Sequence, residues 1–141
     1  MTMRSRITGA LGPLFLGIAG TLAGCGGVTY AGRVVSGPAS IATVVPESDP
    51  RLESATGVEG VLIEFKDEKQ NLFGSGVSGV DGKFAISIPT ADAPTRPTIV
   101  RSTGPGLVAG ETTLYLPRSG GQLLINVKRA PGGSAGATPH P

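Results

Sequence analysis

The chain has 141 residues, enough for one domain with one hydrophobic core. Its formal charge of +2 resides in Arg4 and Arg6, so the remainder is neutral. With no basic run longer than Lys128-Arg129, it lacks the electrostatic footprint of a nucleic-acid binder. One cysteine, Cys25, excludes a disulfide within the chain and a thiolate-built metal centre. Glycine (23) and proline (12) sit between alternating apolar runs, which points to short strands joined by tight turns.

In chain order, Arg4 and Arg6 precede an uncharged, mostly apolar stretch, residues 7–20, and small residues follow at Ala23 and Gly24. That order is the anatomy of a secretory signal peptide. A membrane-crossing helix needs about 20 mostly apolar residues. The run here is shorter and is broken by Gly9, Gly12, Pro13, Gly17 and Gly20. Arg4-Ser5-Arg6 is not a twin-arginine pair, so general secretion of the unfolded chain is expected.

The end of this segment, Leu22-Ala23-Gly24-Cys25, resembles the lipobox of bacterial lipoproteins. The resemblance implies cleavage between Gly24 and Cys25, a diacylglyceryl thioether on the Cys25 thiol, and a further acyl chain such as palmitate on the new amino group. Each buried CH₂ contributes about 0.8 kcal/mol, so two or three chains anchor firmly where one would bind marginally. Residue 26 is glycine rather than aspartate, which by the same resemblance points to the outer membrane more than the inner, with the domain in the periplasm or at the cell surface. Residues 1–24 are thus expected to be a signal peptide and residues 25–27 a lipidated N-terminus. A β-domain over 28–129 and a disordered tail over 130–141 are expected to follow.

Within the domain, residues 28–35 predict a strand with Val28, Tyr30 and Val34 toward one face, and Gly32 marks a bulge or a close neighbour. Residues 36–57 read as a long irregular connection with room for a short edge strand near 41–45, since Pro46 and Pro50 exclude a central one. Residues 58–66 alternate cleanly, with Val61, Ile63 and Phe65 inward and Glu64 and Lys66 in solvent. A polar turn at 67–71 leads to a strand at 72–78. Asp81-Gly82 then predicts a tight hairpin turn, because glycine accepts positive φ without steric cost. Residues 83–88 place Phe84, Ile86 and Ile88 inward and stop at Pro89. Short strands follow at 98–102, 110–116 and 122–129, the last with Leu123, Ile125 and Val127 in one row. The fold class is all-β, a small antiparallel sandwich of about seven strands.

Residues 57–88 resemble the carboxypeptidase regulatory-like, transthyretin-like β-sandwich family. The likeness is carried by Gly32-Arg33-Val34, Gly60-Val61-Leu62-Ile63, Asp81-Gly82-Lys83-Phe84 and the later stretch 99–106, and extends over most of 28–129. The resemblance implies that Asp81 and Gly82 build a turn and that Phe84 drops between two sheets. The proline-bearing segment 36–57 departs from compact members, which pass quickly from first to second strand. An immunoglobulin-like sandwich would normally offer a core tryptophan and often a cysteine pair, and this chain has neither.

No residue set predicts catalysis, a cofactor or a metal site. The transthyretin-like hydrolases use an internal histidine, whereas the one histidine here, His140, lies in the tail, away from any fixed substrate position. Asp67 and Glu68 read as turn residues, Glu64 as a wet strand residue and Asp81 as a turn former. Calcium would need six to eight oxygens from a suitably spaced loop. Ser75, Ser78 and Ser87 lack a base. Gly74-Ser75-Gly76 lacks the Lys-Ser/Thr and helix of a phosphate loop and reads as strand glycines. The expected function is therefore non-enzymatic: a lipid-anchored envelope domain in adhesion, scaffolding or protein interaction, held to membrane lipid through Cys25 and presenting a surface or sheet edge to an envelope partner. The alternative is a small-ligand or carbohydrate-binding module, for which Tyr30 or Tyr115 would have to be exposed beside a concave polar patch.

Overall fold

The computed structural model describes residues 26–132, so the expected signal peptide with Gly24 and Cys25, and the expected tail with His140, lie outside the described residues. Eight strands form two four-stranded sheets: β1 (Gly27–Ser36), β2 (Ile41–Pro46), β3 (Leu62–Lys66), β4 (Leu72–Val77), β5 (Lys83–Pro89), β6 (Thr98–Thr103), β7 (Gly110–Leu114) and β8 (Gly121–Val127). One sheet has the order β2-β8-β1-β5, the other β4-β3-β6-β7. The chain is an all-β sandwich, as the alternating runs require.

Between the sheets lies the core that period-2 patterning predicts. Tyr30 and Val34 of β1, Ile63 and Phe65 of β3, Phe84, Ile86 and Ile88 of β5, Val100 of β6, and Leu123, Ile125 and Val127 of β8 are buried together, with Val61 just ahead of β3. Tyr30 meets Phe65 edge-on at 5.9 Å between ring centres, an arrangement that aromatic quadrupoles favour. Gly32 is a close approach rather than a bulge. It pairs directly with Phe84 across the strands, and a side chain on it would collide with that ring. The phenylalanine covers the surface the glycine leaves bare.

One expectation is filled in and two need correction. Residues 41–46 form a full edge strand, β2, paired antiparallel with β8 from Ile41↔Asn126 to Pro46↔Gly121. It ends on Pro46, as an edge strand tolerates, and brings the count to eight. Second, the sheets are not wholly antiparallel, because β8 runs parallel to β1 over Gly32↔Leu123 to Ser36↔Val127. β8 fills the slot between β1 and β2, which run in opposite directions, so it must be parallel to one of them. Third, Asp81-Gly82 is a turn but not a hairpin. β4 pairs with β3 in one sheet and β5 with β1 in the other, so this turn carries the chain across the sandwich.

Residues 47–57 also do more than connect. A short helical turn, α1 (Arg51–Ser54), lies over the outer face of the first sheet, where Leu52 packs with Val35, Val45 and Leu124 in a second small core. Strand β8 is thus apolar on both faces, which explains its unbroken Leu123-Leu124-Ile125 run.

Strand directions sort the loops into two ends. The start of β1, the 67–71 turn, the 90–97 segment and the 115–120 loop share the N-terminal end. The 37–40, 78–82 and 104–109 connections share the other end, together with residues 128–132. There the Ala130 amide donates to the Gly106 carbonyl at 2.9 Å.

Candidate functional site

Asp81, Gly82 and Phe84, the motif residues of the sequence, sit at the far end where the chain changes sheets. Gly82 has φ +80°, and its amide donates to the Gly79 carbonyl at 2.9 Å. A Cβ there would strike the Val34 carbonyl oxygen, and one on Gly57 would strike the Asp81 carbonyl oxygen. The two glycines let three backbone segments cross. Val34 donates to the Gly82 carbonyl at 2.8 Å and accepts from the Val58 amide at 2.9 Å. The Asp81 carboxylate accepts the Lys83 amide at 3.2 Å, chiefly for which its pKa lies below the ordinary carboxylate value. Phe84 is buried in the core. These residues are structural.

Arg33 is the member of the resemblance motif whose role the sequence did not reveal. It is buried, and its guanidinium donates to the carbonyls of Asp81 at 2.8 Å and Leu52 at 3.1 Å. One cation therefore fastens the inter-sheet turn and the α1 segment to β1, with carbonyl dipoles rather than a carboxylate as partners. The available signal was its phase: with Val35 it belongs to the outward face, which Leu124 and Leu52 show to be covered.

Ser78, which the sequence left without a partner, is buried and bonded twice. Its hydroxyl donates to the Val58 carbonyl at 2.7 Å and accepts the Val61 amide at 2.9 Å. The hydroxyls of Ser87 and Thr29 lie 2.9 Å apart, within hydrogen-bond reach on the solvent face, and Ser75 is exposed. Gly74 and Gly76 let β4 approach β5, since a Cβ on either would press on Ile86 or Ile88. Asp67 does more than solubilise its turn. Its carboxylate accepts the amides of Lys69 at 2.8 Å and Asn71 at 2.9 Å and the Asn71 side-chain amide at 2.9 Å. The Asn71 side chain is the main cause of its lowered pKa. Among the described residues no three His, Cys, Asp or Glu side chains converge on one point.

Two surfaces remain. At the N-terminal end a groove of about 510 Å³ is bordered by Thr29, Glu47, Pro94, Tyr115, Arg118 and Gln122. Tyr30 is 7% exposed and belongs to the core, whereas Tyr115 is 66% exposed on this groove. The other surface is the β4 edge. Among the described residues no strand pairs with its outer side, and Leu72 and Val77 are 54% and 60% exposed. Leu62 lies opposite Val77 in register and is also exposed. Beside them runs a charged row, Glu64, Arg101 and Glu111, aligned across β3, β6 and β7.

The two edges of the sandwich differ. On the β2/β7 side the Ala42 amide donates to Thr112 Oγ1 at 3.0 Å, and Ser40 Oγ donates to the Val108 carbonyl at 2.6 Å. Side chains thus bridge that seam, while the β4 edge has aliphatic groups in solvent. No protein-family model, curated protein or solved structure matches the chain.

Proposed function

We propose that the protein is a lipid-anchored cell-envelope lipoprotein whose β-sandwich, of the carboxypeptidase regulatory-like kind, binds a protein partner and catalyses no reaction. The open β4 edge carries this reading. A strand with one unpaired side and exposed Leu72 and Val77 offers main-chain hydrogen bonds and apolar contacts to an added strand. Natural sandwiches usually blunt such an edge with charge or proline. β4 has neither. The anchor reading rests on Leu22-Ala23-Gly24-Cys25, and the non-enzymatic reading on a surface whose conspicuous groups are aliphatic.

Photo-crosslinking from position 75, exposed on the same strand, in the native envelope tests the partner. One discrete adduct is expected, lost when Val77→Lys is added while the melting temperature stays unchanged, and lost from the membrane fraction with Cys25→Ser. An adduct indifferent to Val77→Lys would refute the edge, and undiminished membrane partition of Cys25→Ser would refute the anchor.

The ligand-module reading is favoured by one observation, the exposure of Tyr115 on a groove with polar borders. An aromatic face beside carboxylate, amide and guanidinium groups suits a saccharide. Titration with envelope oligosaccharides should then shift the Tyr115 ring resonances, and Tyr115→Ala should abolish binding. Unmoved resonances at millimolar sugar would end this reading.

A further inference from the structure

We propose that the end of the sandwich carrying Gly26 is a membrane-contact surface, seated in the lipid headgroup layer with Tyr115 at its rim. The inference rests on acylation at Cys25 and extends it by naming the face that meets the bilayer. Its basis is the absence of slack between anchor and fold. Gly26 is already fixed, its carbonyl accepting the Thr90 amide at 3.1 Å, and sheet pairing starts at Gly27↔Pro89. Cys25 and Gly26 together span about 7 Å when fully extended. The headgroup layer of one leaflet is about 5–8 Å thick, from the difference between total and hydrocarbon thickness. With the acyl chains in hydrocarbon, such a tether cannot hold the domain clear of the surface.

Position within the sheet decides which groups are pressed down. β1 is an interior strand, so its start lies among the other loops of that end and not at a corner. Tyr115 and Arg118, which follow β7, and Arg96, which precedes β6, share this end and are all exposed. A tyrosine with an apolar ring and a polar tip is suited to the headgroup level, and guanidinium groups bond lipid phosphates in pairs of hydrogen bonds. Glu47, Glu68 and Asp92 at the same end offset the cations, so seating depends on the tether and the aromatic ring rather than on anionic lipid. Residues 128–132 and Val80 lie at the opposite end and face away, and the β4 edge runs between the two ends, open to a partner.

The chain has no tryptophan, so one introduced indole reports its own surroundings. Full-length acylated protein carrying Tyr115→Trp, and separately Val80→Trp, is placed in phosphatidylethanolamine/phosphatidylglycerol vesicles. Both positions are exposed, so both variants should fold. The indole at position 115 should be quenched by shallow brominated lipids and shielded several-fold from aqueous acrylamide relative to the unacylated Cys25→Ser protein. The indole at position 80 should be equally accessible in both. Equal acrylamide access at the two positions, in protein that floats with vesicles and shows the acyl mass, overturns the seat and leaves the anchor standing. Absence of the acyl mass overturns the anchor and the seat together.

Discussion

Gly82 and Gly106 both have positive φ, at +80° and +68°, yet their surroundings differ. Around Gly106 the space is open, so Gly106→Ala should cost only the left-handed strain, about 1 kcal/mol. At Gly82 a methyl group would also strike Val34 and Gly57, so Gly82→Ala should cost about 3 kcal/mol. Urea unfolding of the two variants checks this, and equal losses would mean that the crossing at 34, 57 and 82 relaxes freely. The sequence marked Asp81-Gly82 as a turn because local conformation demands glycine there. It could not mark Gly57, whose need for a bare Cα comes from a strand brought to it by the fold. Arg33 and Ser78 were hidden for the same reason, since their backbone partners lie 17 or more positions away in the chain.

Among the elements, segment 36–57 shows how an irregular stretch becomes ordered by what it covers. Its apolar residues are few, and Leu52 in a four-residue helical turn has no helical stability of its own. It is held because β8 presents Leu124 outward and Arg33 donates to the Leu52 carbonyl. Leu52→Ala should therefore destabilise the whole domain by about 2–3 kcal/mol, read by thermal or urea unfolding. A change within experimental error would show that the segment frays independently of the sandwich. Strands β3, β5 and β8 were legible because alternation fixes which side chains are buried whatever the partner strand. Partner and direction were not legible. The parallel β1/β8 pair and the sheet-crossing turn after β4 depend on how the sheets close, and neither leaves a periodic signature.

Over the whole molecule, acid stability follows from three aspartates. Asp67 is held low mainly by the Asn71 side-chain amide, Asp81 by the Lys83 backbone amide and Asp49 by the Arg51 side chain. Each folded-state pKa lies below the unfolded value of about 3.9, so the unfolded chain takes up protons first as pH falls. Their contribution is complete above the unfolded value and is lost from about pH 5 downward through the lowered folded values. The urea midpoint should fall between pH 7 and pH 3, and Asp67→Asn should flatten that slope; an identical slope in the variant would remove Asp67 from the account. By itself the sequence determined the all-β class and the inward rows, because each is written in neighbouring residues or in a period of two; the proposed anchor at Cys25 rests on neighbouring residues alone. Only the tertiary structure decided that β4 is an edge with exposed aliphatic groups, that α1 covers the outer face and that Tyr115 shares an end with Gly26. Those are relations between segments far apart in the chain, set by the closing of two sheets around one core.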